Sequence, residues 1–158
     1  MKLWLALTLP AILAASTMVQ KHAAKPPFTL ALSAEKTAAT LGSDIWVKLC
    51  WTNTSDEALD SSANILDAEN VDPSFHFDIV DISGRPVPRK VYKFPQTSGH
   101  AEFGTLKAGE SITYDVNLLR LFDLKQPGKY RLQVSRHVPE TLGGGIIKSN
   151  LITITVTN

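Results

Sequence analysis

Cysteine is nearly missing from this chain: Cys50 stands alone among 158 residues, so no intramolecular disulfide can hold the fold. Whatever is stable here rests on a buried apolar core. A surplus of either charge is also missing, with 16 Lys and Arg against 15 Asp and Glu. Without a basic excess there is little to bind phosphate, which argues against nucleic acid as a partner. Nor is there a charge-driven pull toward an anionic membrane. Long apolar runs are absent too: the uncharged stretch at residues 3–15 falls short of the ~20 residues that span a bilayer.

The motifs of common chemistries are likewise lacking. The chain has no Gly-x-Ser-x-Gly elbow, no Cys-x-x-Cys, no His-Glu-x-x-His and no Gly-x-Gly-x-x-Gly. The Gly143-Gly144-Gly145-Ile146-Ile147-Lys148-Ser149 segment lacks the glycine that precedes the lysine of a phosphate loop. From motifs, no enzymatic activity, catalytic residue, resident metal or cofactor is expected.

What is present begins with Met1-Lys2, the uncharged stretch just described, and Ala14-Ala15-Ser16. A basic start, a short apolar run and small residues before the cut read as a secretory signal peptide over residues 1–16. Its removal takes Lys2 and leaves the charges balanced. Export, to the periplasm or beyond the cell, is the expected localisation. Residues 17–27 are polar, Ala-rich and end in Pro26-Pro27, a flexible lead-in. Residues 28–158 then suffice for one domain with its own core.

Within that domain, alternation of period two recurs, the mark of strands with one buried side. Phe28, Leu30 and Leu32 form one inward set, and Ile45, Val47, Leu49 and Trp51 another. Phe75, Phe77 and Ile79 follow, then Ile112, Tyr114, Val116 and Leu118, with Thr113, Asp115 and Asn117 on the far side. Ile152, Ile154 and Val156 close the sheet in a single run over residues 147–156. Cys50 falls on the outer face with Trp46 and Lys48. Residues 57–72 read as an acidic loop carrying Asp60, Asp67, Glu69 and Asp72, without the glycine of a calcium loop. Pro86 and Pro88 confine residues 86–94 to a sheet edge.

After Pro127-Gly128, Tyr130, Leu132 and Val134 alternate with Arg131, Gln133 and Ser135. A tyrosine at the start of such a strand matches the tyrosine corner of immunoglobulin-like domains, whose phenol bonds to the backbone upstream. The expected fold is all-β, an immunoglobulin-like antiparallel β-sandwich of about seven to nine strands.

The turn and strand signatures add a resemblance. Phe77-Asp78-Ile79-Val80-Asp81-Ile82-Ser83-Gly84-Arg85-Pro86-Val87, then Leu106-Lys107-Ala108-Gly109-Glu110-Ser111-Ile112-Thr113-Tyr114, then Pro127-Gly128-Lys129-Tyr130 resemble the BsuPI-type domain and similar exported bacterial immunoglobulin-like domains. The likeness covers residues 28–156. It implies the sandwich, and through the intracellular proteinase inhibitor that names the family it suggests an inhibitory role. The leader departs from that namesake, and no inhibitory residue set carries over.

Three functions are therefore in view. The first is a non-catalytic module that binds another protein or serves the envelope, using the loop Pro139, Glu140, Thr141, Leu142, Gly143 and Gly144 between two strands. The second is a proteinase inhibitor presenting the loop at residues 138–146, or another exposed loop, to a secreted protease. The third is a metal or catalytic site drawing on His76, Asp78, His100 and His137, of which His76 and Asp78 share one strand face.

Overall fold

The computed structural model describes residues 25–63, 74–90 and 102–158. The expected leader, most of the lead-in, His100, Asp67, Glu69 and Asp72 lie outside the described residues. In chain order the strands are β1 (Phe28–Ala34), β2 (Ala38–Thr40), β3 (Trp46–Asn53), β4 (Leu59–Ala63) and β5 (Phe75–Asp81). They continue as β6 (Glu102–Leu106), β7 (Ser111–Asn117), β8 (Gly128–His137), β9 (Ile146–Lys148) and β10 (Ile152–Thr157). One helical turn, α1 (Leu118–Leu121), separates β7 from β8.

The chain is all-β, and its strands form two main sheets with a common core. One sheet runs β1-β3-β7; the other runs β2-β10-β8-β5, with β9 also paired to β8. β4 and β6 make a separate two-stranded ribbon. Alternation decides what the sheets share. Leu30, Leu32, Val47, Leu49, Trp51 and Val116 are buried from one side, and Phe77, Ile79, Leu132, Val134, Ile154 and Val156 from the other. Each such side chain contributes about 1.5–3 kcal/mol on burial.

Turn chemistry closes the ends. The phenol of Tyr130 donates to the Gln126 carbonyl at 2.6 Å, the upstream backbone bond expected of a tyrosine corner. Leu132, two residues on, is buried in the core. Asn53 is fully buried at the end of β3. Its amide donates to the Glu57 and Leu106 carbonyls at 2.7 and 2.8 Å, and its Oδ1 accepts from the Ser55 amide and hydroxyl. One side chain thus ties the β4–β6 ribbon to the sheet.

Several expectations need correction. The two main sheets hold eight strands, within the seven to nine read from alternation, and the β4–β6 ribbon brings the described residues to ten, three of them too short or too polar to show a pattern. β2 is one of these, and it pairs with β10 in parallel, so the sandwich is not wholly antiparallel. Part of the supposed acidic loop is β4, since Leu59 is buried opposite Leu106. The run over residues 147–156 is two strands. Between them Ser149 turns inward and donates its backbone N–H to the Val134 carbonyl at 2.8 Å. Asn150 grips the β1 backbone at Leu32 through both amide atoms, at 2.7 and 3.0 Å. Asn117 is buried, because the strand stops there: its Oδ1 caps α1 at the Leu119 amide and its Nδ2 donates to Asp44 at 2.6 Å. In the proline segment the described part makes single bridges, Val80 to Pro86 and Arg89 to Phe122.

Candidate functional site

β8 runs ten residues and delivers the loop that the sequence singled out. Glu140, Thr141 and Leu142 form one turn of 3-10 helix, a compact form rather than an open hairpin tip. The Leu142 and Gly144 amides donate to the Pro139 carbonyl at 2.9 and 3.1 Å, and the Gly143 amide to Glu140 at 3.1 Å. Val138 N–H reaches the Gly145 carbonyl at 2.9 Å and closes the base. Gly143, Gly144 and Gly145 all have positive φ, at 103°, 67° and 94°, a path that residues with a Cβ rarely follow. The glycines therefore fix the return of the chain.

The six loop residues do not all face outward. Pro139, Glu140, Thr141 and Gly143 are exposed, whereas Leu142 is half-buried and packs on the core. The Glu140 carboxylate folds over Gly144. Ile146, just past the loop, is an exposed aliphatic side chain.

Of the histidine set, His76 and Asp78 are brought together on β5, with Nε2 to Oδ1 at 3.0 Å and both side chains exposed. The register places His137 two residues beyond Ser135, the partner of His76, on the same face of β8. Among the described residues no group of three or more His, Cys, Asp or Glu is placed to hold a metal ion. Cys50 is half-buried and touches the Thr52 hydroxyl at 3.8 Å.

Three arrangements were not singled out by the sequence. The first is the turn after β5. Asp81 accepts from the Ser83 hydroxyl at 2.5 Å, from the Ser83 and Arg85 amides at 2.8 and 3.0 Å, and from Arg85 Nε at 2.8 Å. The Ser83 hydroxyl bond, then the Arg85 amide, hold its carboxyl well below the usual carboxylate range.

The second is Arg136, which lies inward with its guanidinium over the Trp51 and Phe75 rings. Carrying the Tyr130–Leu132–Val134 alternation two residues further would have found it. The third is on the outer face of the β1-β3-β7 sheet. There Lys48 Nζ lies 3.3 Å from Glu35 and 3.8 Å from Asp115, beside the half-exposed indole of Trp46. The Glu35 hydrogen bond, then the Asp115 charge, raise the Lys48 pKa above its ordinary value. Its sequence signal was the shared outer face of Trp46 and Lys48.

No family model matches the chain, and no curated protein matches it. Solved structures to which it is similar are chains of a beta-glucosidase from Listeria innocua. A mutant of that enzyme in complex with laminaribiose is 19% identical with a TM-score of 0.47, and the complex with isofagomine is 19% identical with a TM-score of 0.46. Each match covers 83% of this chain and 16% of the glucosidase chain, so the chain spans a small part of those enzymes' length.

Proposed function

We propose that this chain is an exported, non-catalytic immunoglobulin-like module whose loop at residues 138–146 docks onto another protein, an envelope component or a protease. The β1-β3-β7 and β5-β8-β10 grouping supports the immunoglobulin-like reading, since it follows the A-B-E and C-F-G division of such domains. The observation that carries the docking role is the loop's own hydrogen-bond set. A segment held in one shape by its backbone and three left-handed glycines has little conformational freedom left to lose on binding. It offers Pro139, Glu140 and Thr141 to a partner, with Ile146 as the nearest apolar contact. Because the tip is a helical turn, it suits a shallow recess better than an extended strand-addition groove.

The test compares two baits on the native envelope fraction: the chain itself, and a variant with residues 138–146 replaced by a short Gly-Ser turn. A protein held by the first bait and lost from the second is the expected result. Identical recovery by both baits would end the loop's role. A stoichiometric assay on a serine-protease panel then decides whether the partner is a protease.

A further inference from the structure

We propose that the outer face of the β1-β3-β7 sheet is a carbohydrate site, in which Trp46 stacks on a neutral pyranose ring and Glu35, Lys48 and Asp115 bond its hydroxyls. The site stands apart from the loop at residues 138–146 and does not depend on it.

An isolated apolar side chain on a surface is ordinary and by itself means nothing. Trp46 differs in its setting. The residue is 42% exposed, and with Glu35, Lys48 and Asp115 it lines a depression of about 360 Å³. That is the lower end of the range for small-ligand sites, which runs from ~300 to ~1,000 Å³.

The positions follow from the sheet. Trp46 and Lys48 are two residues apart on β3 and so share a face. Lys48 pairs in register with Asp115 on β7, while Glu35 follows the end of β1. Trp46 is therefore a flat apolar plate at the start of β3, flanked by an ammonium between two carboxylates.

Chemistry selects the ligand. The carboxylates are 71% and 63% exposed and keep lone pairs free to accept, while Lys48 can donate. An acyl chain would desolvate all three charges without compensating any. An anion would face two carboxylates, and a cation would compete with Lys48 for the same oxygens. A pyranose meets every requirement: its axial C–H groups make one face apolar and stack on an indole. Its equatorial hydroxyls can each donate to the Glu35 and Asp115 carboxylates, which only accept, and accept from the Lys48 ammonium, which only donates.

The face beyond is suited to a longer chain. From Trp46 the outward side chains of β3 continue through Lys48, Cys50 and Thr52, about 20 Å at strand rise. Thr52 is bonded to the Ser111 hydroxyl at 2.7 Å. Beyond Lys48 the side chains of Cys50 and Thr52 are small.

The experiment titrates the full chain with cellohexaose, xylohexaose, chitohexaose and maltohexaose, following tryptophan fluorescence and calorimetric heat. Saturable binding of at least one hexasaccharide is expected. Trp46→Ala should weaken it at least tenfold, Trp46→Phe should restore part of it, and Glu35→Gln or Asp115→Asn should each weaken it severalfold. Because Trp46 is at the surface, the thermal midpoint of these variants should stay near that of the parent, which separates loss of binding from loss of fold. The loop-replaced variant should bind sugar as the parent does. The proposal is overturned if none of the four sugars binds at millimolar concentration, or if Trp46→Ala binds as the parent does.

Discussion

The guanidinium carbon of Arg136 lies 4.0 Å from the centroid of the Trp51 ring, which places a cation between the two sheets. Phe75 is 4.7 Å and Phe28 5.9 Å from the same carbon. The rings themselves meet edge to face, Phe28 to Trp51 at 6.1 Å and Trp51 to Phe75 at 6.0 Å. A planar, weakly hydrated guanidinium can occupy such a box where a compact ammonium fits poorly. The box joins β1 and β3 of one sheet to β5 and β8 of the other.

Coupling across that contact is measurable. Trp51→Ala should cost ~3–5 kcal/mol as a large core truncation, and Arg136→Lys about 1–2 kcal/mol through the lost stacking. In a double-mutant cycle by urea unfolding, the two changes should cost less together than the sum of each alone, by about 1 kcal/mol. Additive losses would mean that the cation and the indole do not interact.

Tyr130 offers a smaller, cleaner test. Tyr130→Phe removes the 2.6 Å bond to the Gln126 carbonyl and little else, so a loss of about 0.5–1.5 kcal/mol is expected. An unchanged midpoint in denaturant would show that this bond contributes nothing to the corner.

Asn53 supplies two donors and an acceptor in a fully buried place. Asn53→Asp keeps the shape but turns a carboxylate toward the Glu57 and Leu106 carbonyls. The variant should lose ~3 kcal/mol or more at neutral pH, since an unpaired buried charge is costly. Its folded-state carboxyl pKa would be raised, so part of the loss should be recovered as pH falls and the acid protonates. A variant equally unstable at pH 5 and pH 8 would contradict this account.

Asp81 predicts the opposite trend for the parent chain. Its folded pKa is lowered by the Ser83 and Arg85 bonds, so its contribution is present above the unfolded value of ~3.9 and fades as pH falls below it. Asp81→Asn should therefore narrow the stability difference between pH 6 and pH 3. Thermal midpoints of both proteins across that interval decide it, and parallel curves would refute it.

The sequence by itself determined the fold class and most of the core. Period-two alternation in β1, β3, β5 and β8 named the inward residues, because in a strand the neighbouring side chain must face the other way. The Pro127-Gly128-Lys129-Tyr130 turn and its phenol bond were legible for the same local reason. The candidate loop could be placed but not shaped: three glycines allow many paths, and only the backbone bonds among Pro139, Glu140 and Gly145 choose one.

Tertiary structure alone decided the rest. β2 is three residues long and gains its place only from the parallel partner that β10 provides 117 residues later in the chain, with Ala39 in register with Val156. Asn53, Asn117 and Asn150 each satisfy backbone or side-chain groups that the sandwich brings from far along the chain. The Trp46, Glu35, Lys48 and Asp115 cluster likewise exists only because β1, β3 and β7 lie side by side. Local pattern fixes which way a side chain points; what it meets there depends on pairings between distant segments, and no single stretch encodes those.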